Sequence, residues 1–246
     1  MDQSKDTEEL LKLHQNSYKF DYRRAALWHW LSKIIPKNAK VLDAGCGSGF
    51  IAFYLAERGN IVTALEYDPV LIKFIREKFR KSNLNIRIKK RILGESKKDI
   101  RLGKFDYVIC LDVLEHIKND LSVLKELSIN LNNQGKIIIS VPAVPSLYGK
   151  RDMALGHYRR YSKKKLHDLI TEAGLSVIEI RYWNMLGAIM YMYYEKVLGR
   201  SISDKLRQSS EDNIISSLLR QIILSELVLE YRIRTPFGLT LLAICK

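Results

Sequence analysis

Val41-Leu-Asp-Ala-Gly-Cys-Gly-Ser-Gly49 is the stretch that decides the fold. A short apolar strand, Lys40 to Ala44, runs into three alternating glycines, and an apolar helical pattern from Phe50 to Arg58 starts directly after them. Gly45, Gly47 and Gly49 let the backbone pass close beneath a ligand, and the helix N-terminus that follows favours negative charge. A dinucleotide loop of the G-x-G-x-x-G type needs glycine at position 50, where this chain has Phe50; the Gly-Lys-Ser/Thr ending of a phosphate-binding loop is absent as well. Asp43, at the end of the strand, places a carboxylate where it attracts a cation or accepts from an ammonium group. Glu66 closes the next apolar run, 17 residues after Gly49, and a carboxylate at that position can accept from both hydroxyls of a ribose diol.

Outward from this stretch, apolar runs alternate with helical patterns, the mark of an α/β fold with a mainly parallel sheet. Strands are expected at Lys40–Ala44, Ile61–Glu66, Ile86–Ile92, Phe105–Leu111, Lys136–Val141, Leu175–Arg181 and Phe237–Cys245. Helices are expected at Thr7–Tyr18, Tyr22–Ile35, Phe50–Arg58, Pro69–Arg80 and Leu121–Leu131, and from a Ser162 cap to Gly174. Trp183 to Arg234 is 52 residues long, far beyond the roughly 2–6 residues of ordinary connections. It holds two apolar helical patterns, Met185–Tyr194 and Ile214–Leu229. The domain reading is therefore an N-terminal helical cap (1–36), a core (37–182), an inserted helical subdomain or lid (183–234) and a last core strand (235–246).

The chain has 246 residues, 47% of them hydrophobic, which excludes a disordered chain. Three scattered cysteines, Cys46, Cys110 and Cys245, form no CxxC pair, so no disulfide framework is expected and a reducing, cytoplasmic setting is. The polar, acidic start argues against a secretory signal, and no stretch reaches the roughly 18 apolar residues of a spanning helix. The net charge is +14, and thirteen Lys/Arg face three Asp/Glu between Lys73 and Lys104. That block reads as a solvated face. A second basic run, Lys150, Arg151, Arg159, Arg160 and Lys163 to Lys165, is opposed by Asp152 alone. It lies among aromatics and a histidine in a stretch that reads as loop, where contact with a ligand is expected.

The sequence resembles the class I S-adenosylmethionine-dependent methyltransferases. Val41–Gly49, Leu65-Glu-Tyr-Asp-Pro69 and Phe105-Asp-Tyr-Val-Ile-Cys-Leu-Asp-Val-Leu-Glu-His-Ile117 carry the resemblance. The Val-Leu-Glu-His-Ile ending and Gly156-His-Tyr-Arg-Arg-Tyr-Ser162 are similar to the small-molecule branch that includes ubiquinone-pathway O-methyltransferases. The resemblance implies a Rossmann-like, seven-stranded sheet, mostly parallel, with an antiparallel last strand inserted between strands five and six and helices on both faces. It implies S-adenosylmethionine as cofactor. Asp43, Gly45 and Gly47 would hold its methionine part, with Cys46, Ser48 and Gly49 completing the loop. Glu66 would hold the ribose, Tyr67 would flank the adenine, Asp112, Val113 and Leu114 would line the cofactor edge, and Glu95 could stand in as partner of the adenine amino group.

The expected reaction moves a methyl group to an O or N atom of a small acceptor, lipid-like or anionic, with a membrane surface as a further contact. His157 and His116 are the candidate bases, since histidine serves near neutral pH; Tyr158, Arg159, Arg160 and Tyr161 are candidates to orient the acceptor. His14, His29 and His167 fall on expected helices and read as structural or exposed. No H-E-x-x-H spacing occurs, so no metal is expected. Two other functions compete. An RNA methyltransferase would use the basic block, but the Asn/Asp-Pro-Pro-aromatic tetrapeptide of amino-methylating enzymes is replaced by Leu111-Asp-Val-Leu114, and no cysteine follows a proline. An inactive, methyltransferase-like binding subunit sits poorly with intact Asp43, Gly45, Gly47 and Glu66.

Overall fold

A computed structural model describes residues 22–80, 82–95, 101–197 and 214–246; the helix expected at Thr7–Tyr18 lies outside them. The elements in chain order are α1 (Tyr22–Ile34), β1 (Lys40–Ala44), α2 (Phe50–Glu57), β2 (Ile61–Glu66), α3 (Pro69–Phe79), β3 (Ile86–Lys90), β4 (Phe105–Leu111), α4 (Asp120–Ser128), β5 (Leu131–Pro142), α5 (Lys150–Ala154), α6 (Lys163–Glu172), β6 (Val177–Trp183), α7 (Met185–Tyr191), α8 (Ile214–Leu229) and β7 (Thr240–Cys245). A π-helical stretch, Met192–Val197, continues α7.

The seven strands form one sheet in the order β3-β2-β1-β4-β5-β7-β6. β7 runs antiparallel to both of its neighbours, and every other pairing is parallel. This is the expected architecture, with the antiparallel strand between five and six. Successive side chains of a strand point to opposite faces, so each central strand feeds two cores. Leu42, Ile137, Ile139 and Val141 pack with α4 and α6 through Val123, Leu124, Leu127, Leu166 and Ile170. Val41, Ile109, Ile138 and Leu242 pack on the opposite face with α1 and α2 through Leu27, Leu31, Ala52 and Leu55.

Local chemistry explains several boundaries. Pro69 opens α3, and the Asp68 carboxylate accepts from Val70 N at 2.7 Å, the capping geometry that satisfies a free first-turn amide. Ser162 does the same for α6, its hydroxyl oxygen accepting from Lys165 N at 3.1 Å. β3 stops at Lys90 and β7 starts at Thr240, each shorter than expected, and four further expectations need correction. β5 begins at Leu131, not Lys136, because Leu131 pairs with Phe105 across an irregularity in the ladder and the intervening polar residues join the strand. The preceding helix stops accordingly at Ser128. β6 runs on to Trp183, and the stretch taken for a loop around Lys150 is the short helix α5.

The helix α8 lies against α1. Leu227, Ile223 and Leu224 share one cluster with Leu27, Trp30 and Leu31. Tyr231 stacks between Trp30 (centroids 5.6 Å apart) and Trp183 (5.4 Å), and the Trp183 indole donates to Leu227 O at 3.0 Å. No helix among the described residues is long and apolar enough to cross a membrane.

Candidate active site

The glycine turn lies at the carboxyl end of β1, beside the carboxyl end of β2. In open α/β sheets ligands bind along that edge. Gly45 N and Cys46 N both donate to Leu65 O, at 3.0 and 2.9 Å, which ties the turn to β2. Gly45 has φ +78°, and a Cβ there would lie 2.6 Å from Val113 Cγ2, so the turn and the segment after β4 touch where only glycine fits. Gly49, also at positive φ, starts α2, and a Cβ on it would press on Ile75 and Phe79 of α3.

Two buried acids face this turn. Glu66 is 4% exposed, and its carboxylate accepts from three main-chain amides: Gly47 at 2.9 Å, Tyr67 at 2.8 Å and Asp68 at 3.0 Å. Burial still raises its pKa, because desolvation outweighs those bonds. Asp43, equally buried, is pushed up to about 7, first by burial and then by Glu66. Two buried carboxyls at one turn, with the Glu66 charge adding to the rise at Asp43, fit a ligand that carries positive charge. Cys46 is held high by burial and by the same two acids, so it is no nucleophile. Tyr67 stands at the rim, largely exposed.

A second concavity, about 220 Å³, opens beyond the carboxyl ends of β4 and β5. Asp112, Glu115, Asp152, His157 and Arg160 line it, with Arg23 from α1, Arg151 and Leu155 from the α5 region, Asn184 and Tyr191 from the α7 region, and Leu239 and Thr240 beside β7. Asp112 adopts φ +55° directly after β4. Its carboxylate takes a two-pronged ion pair from Arg23 (2.6 and 2.9 Å) and a bond from Ser140 Oγ at 2.7 Å. Burial works against its charge, and Arg23 prevails, holding the carboxyl below its ordinary pKa. Val113, next in the chain, packs on Gly45, so the two halves of the crevice meet there.

Glu115 is fully buried, its Oε2 has no hydrogen-bond partner among the described residues, and burial together with Asp112 drives its pKa well up. His116 and His157 stand edge to face, centroids 4.6 Å apart at 87°. Burial and His157 lower the pKa of His116. One ligand atom from each of Glu115, His116 and His157 lies within 4.8 Å of the other two, close enough for a carboxyl and two imidazoles to share an acceptor group or a cation. The two histidines are 41 residues apart in the chain, so no spacing motif announces them.

The substrate-side candidates separate. Arg160 lines the cavity, its guanidinium 4.9 Å from the centre of the Tyr191 ring. Tyr161 does not line it: the side chain is in the core and its hydroxyl donates to Asp120 at 2.8 Å. Arg159 also turns away, pairing with Asp120 at 2.7 Å and donating to Lys118 O. Tyr158 is half exposed beneath Lys118. Glu95 is exposed, beyond the edge strand β3. His29 lies on α1 and His167 on α6, as read; His14 lies outside the described residues. Sequence reasoning missed Arg23, Glu115, Asp152, Asn184 and Thr240. Two of them left a trace, Glu115 inside the Val-Leu-Glu-His-Ile stretch and Asp152 as the one acid inside the second basic run.

A family model described as a methyltransferase domain matches residues 14–180. Among curated proteins, the ubiquinone biosynthesis O-methyltransferase of Xanthomonas axonopodis pv. citri is 28% identical over 109 residues, covering 44% of this chain and 45% of that protein. The enzyme of the same description from Coxiella burnetii is 30% identical over 108 residues, with the same shares covered. The chain thus spans under half the length of these relatives. Among solved structures, a TehB-like SAM-dependent methyltransferase from Corynebacterium glutamicum superposes with a TM-score of 0.60 at 16% identity, covering 99% of this chain and 98% of that one. The 1,6-didemethyltoxoflavin-N1-methyltransferase of Burkholderia thailandensis gives 0.54 at 20% identity, covering 71% and 78%. With the family model matched over more than half of its length, and with the strand order and glycine turn described above, this chain belongs to the methyltransferase-domain family and has the Rossmann-like fold of the class I S-adenosylmethionine-dependent methyltransferases.

Proposed function

We propose that the protein transfers a methyl group from S-adenosylmethionine to an oxygen or nitrogen of a small acceptor held in the 220 Å³ cavity. The observation that carries this reading is the junction at Gly45 and Val113, where a cofactor-type turn with two buried acids adjoins a cavity walled by His157, Glu115 and Arg160. Bound S-adenosylmethionine supplies an electrophilic methyl on a sulfonium. Asp43 is placed to hold its ammonium end, Glu66 its ribose, and Tyr67 the rim against its base. Asp112 belongs to the acceptor cavity through its carboxylate, while Val113 behind it forms the cofactor edge. His157 is positioned as base for the acceptor, with His116 against its ring. The α7 region, through Asn184 and Tyr191, serves as one wall of the cavity. O-methylation of an aromatic or lipid-like acceptor is the narrower reading that the ubiquinone-pathway relatives support.

Labelled S-adenosylmethionine incubated with cell extract, then fractionated into lipid, RNA, protein and small-molecule pools, tests the class of acceptor. Label confined to RNA would replace this reading. Turnover that survives exhaustive chelation supports proton transfer at the histidine pair; loss restored by a divalent cation would assign those side chains to an ion instead.

The buried acid Asp43 gives a pH dependence. Burial and the Glu66 charge favour its neutral form, so that contribution to stability is complete below about pH 4 and lost as the pH rises through about 7. A ligand ammonium needs the ionised form. Affinity for S-adenosylhomocysteine is therefore expected to rise with pH up to about 7 and then level off, with a slope approaching tenfold per pH unit below it. Calorimetric titrations between pH 5 and 8 check this, and Asp43→Asn should flatten the profile.

A further inference from the structure

Asp152 is the acid of α5, 1% exposed, at the third position of the helix. Its carboxylate accepts from Gly149 N at 3.0 Å, from Arg160 Nε at 2.9 Å and from His157 Nδ1 at 3.0 Å. His157 N in turn donates to Asp152 O at 2.9 Å, so the histidine is gripped by main chain and side chain of the same residue. An ionised carboxylate is an acceptor only, so the imidazole nitrogen facing it must carry the hydrogen. Burial opposes the charge of Asp152, but the bonds from His157 and Arg160 outweigh it and keep the carboxyl below its ordinary pKa. In the neutral ring the lone pair then lies on Nε2.

We propose that Asp152 is the positioning residue of the reaction: it fixes His157 in the Nδ1–H tautomer and presents Nε2 to the acceptor bound in the cavity. The inference rests on His157 being the base. In the step it supports, the proton leaving the acceptor's O–H or N–H goes to His157 Nε2 while the acceptor atom bonds to the methyl carbon. The electron pair of the breaking C–S bond stays on sulfur, giving neutral S-adenosylhomocysteine, and the positive charge moves to the imidazole. That imidazolium forms against the Asp152 carboxylate, which stabilises it. The same carboxylate holds Arg160 under Tyr191, so its loss also loosens the acceptor wall; the two effects separate as kcat against KM.

The test joins spectroscopy with kinetics on the full chain. Long-range 1H–15N spectra, assigned with His157→Ala, are expected to show His157 protonated at Nδ1 and bare at Nε2 in the wild type, and mixed or reversed in Asp152→Asn. The probe for rates is labelled S-adenosylmethionine with the extract pool that the wild type methylates. Asp152→Asn should lower kcat by about 10²-fold or more, leave S-adenosylhomocysteine affinity unchanged, and regain part of the rate as Asp152→Glu. In a His157→Ala background it should add no more than about twofold, the scatter of independent effects. An Nε2–H tautomer in the wild type, or full additivity of the two substitutions, overturns the role of Asp152 even with His157→Ala inactive. A His157→Ala enzyme at wild-type rate removes the base itself, and this inference with it.

Discussion

His157→Ala is expected to bind S-adenosylhomocysteine as the wild type does and to transfer methyl groups about 10²–10⁴-fold more slowly, the range of general base catalysis. At room temperature that loss is about 3–5 kcal/mol of transition-state stabilisation. The separation of the two effects follows from the sheet. Asp43, the glycine turn and Glu66 sit at the ends of β1 and β2, whereas His157 stands beyond β5, against His116 and on the Asp152 carboxylate. The Tyr148 hydroxyl donates to the main-chain oxygen of residue 157, a bond that alanine keeps, so the local backbone should hold. Initial rates beside calorimetry measure both quantities. A variant that turns over normally would show that the acceptor ionises unaided, or that another group takes its proton.

Glu66→Ala should damage both binding and folding. Its carboxylate serves three amides at the ends of β2 and the glycine turn, and a buried donor left unsatisfied costs about 1–3 kcal/mol. Water entering the vacated space will satisfy part of that demand, so a net loss of about 3 kcal/mol is expected, or about 6–12 °C in melting temperature for a chain of this size. With Glu66 in the proposed role of holding the ribose, affinity for S-adenosylhomocysteine should fall by about 10²-fold or more, since two charge-assisted bonds would go with the carboxylate. Glu66→Gln is the informative companion. Its amide keeps one acceptor and turns an NH₂ towards either Gly47 N or the Tyr67 and Asp68 amides, so it should fall between the two. Melting and binding both unchanged in Glu66→Ala would remove Glu66 from the cofactor site.

The half of the crevice at β1 and β2 was legible because its signals are local. Strands β1, β2 and β4 are short, mostly apolar runs, each ending at an acid or a glycine turn, and the turn from Gly45 to Gly49 lies within five consecutive residues. The acceptor side was not legible for the opposite reason. Arg23 meets Asp112 across 89 positions of sequence, and Asn184 and Thr240 reach the same cavity only because β7 inserts beside β5. The α5 helix escaped notice because Lys-Arg-Asp-Met-Ala is five residues long and polar, without an apolar period to read. Tyr161 misled for a related reason: an aromatic beside two arginines looks like a ligand contact, yet a main-chain bridge to Ala143 and the bond to Asp120 hold it in the core. A lone acid five residues before a histidine inside a basic run, as at Asp152, is the pattern that would have found the positioning residue.

The antiparallel strand has a consequence for the order in which the molecule assembles. The pairings β2–β3, β1–β2 and β4–β5 join strands adjacent in the chain and β1–β4 joins Val41 to Tyr107, whereas β5–β7 joins Ile137 to Cys245, 108 positions apart, so the cofactor half of the sheet closes shorter loops than the strand pair that completes the acceptor half. Among the described residues β6 pairs with β7 alone, and β7 follows only after α7 and α8. Pairings that close long loops come late in folding. The acceptor half should therefore be the last part to gain protection in a refolding hydrogen-exchange experiment, with amides of Val177–Trp183 and Thr240–Cys245 lagging those of Lys40–Ala44 and Phe105–Leu111. A chain caught at that stage would already own a cofactor crevice and still lack the wall that gives the acceptor its place.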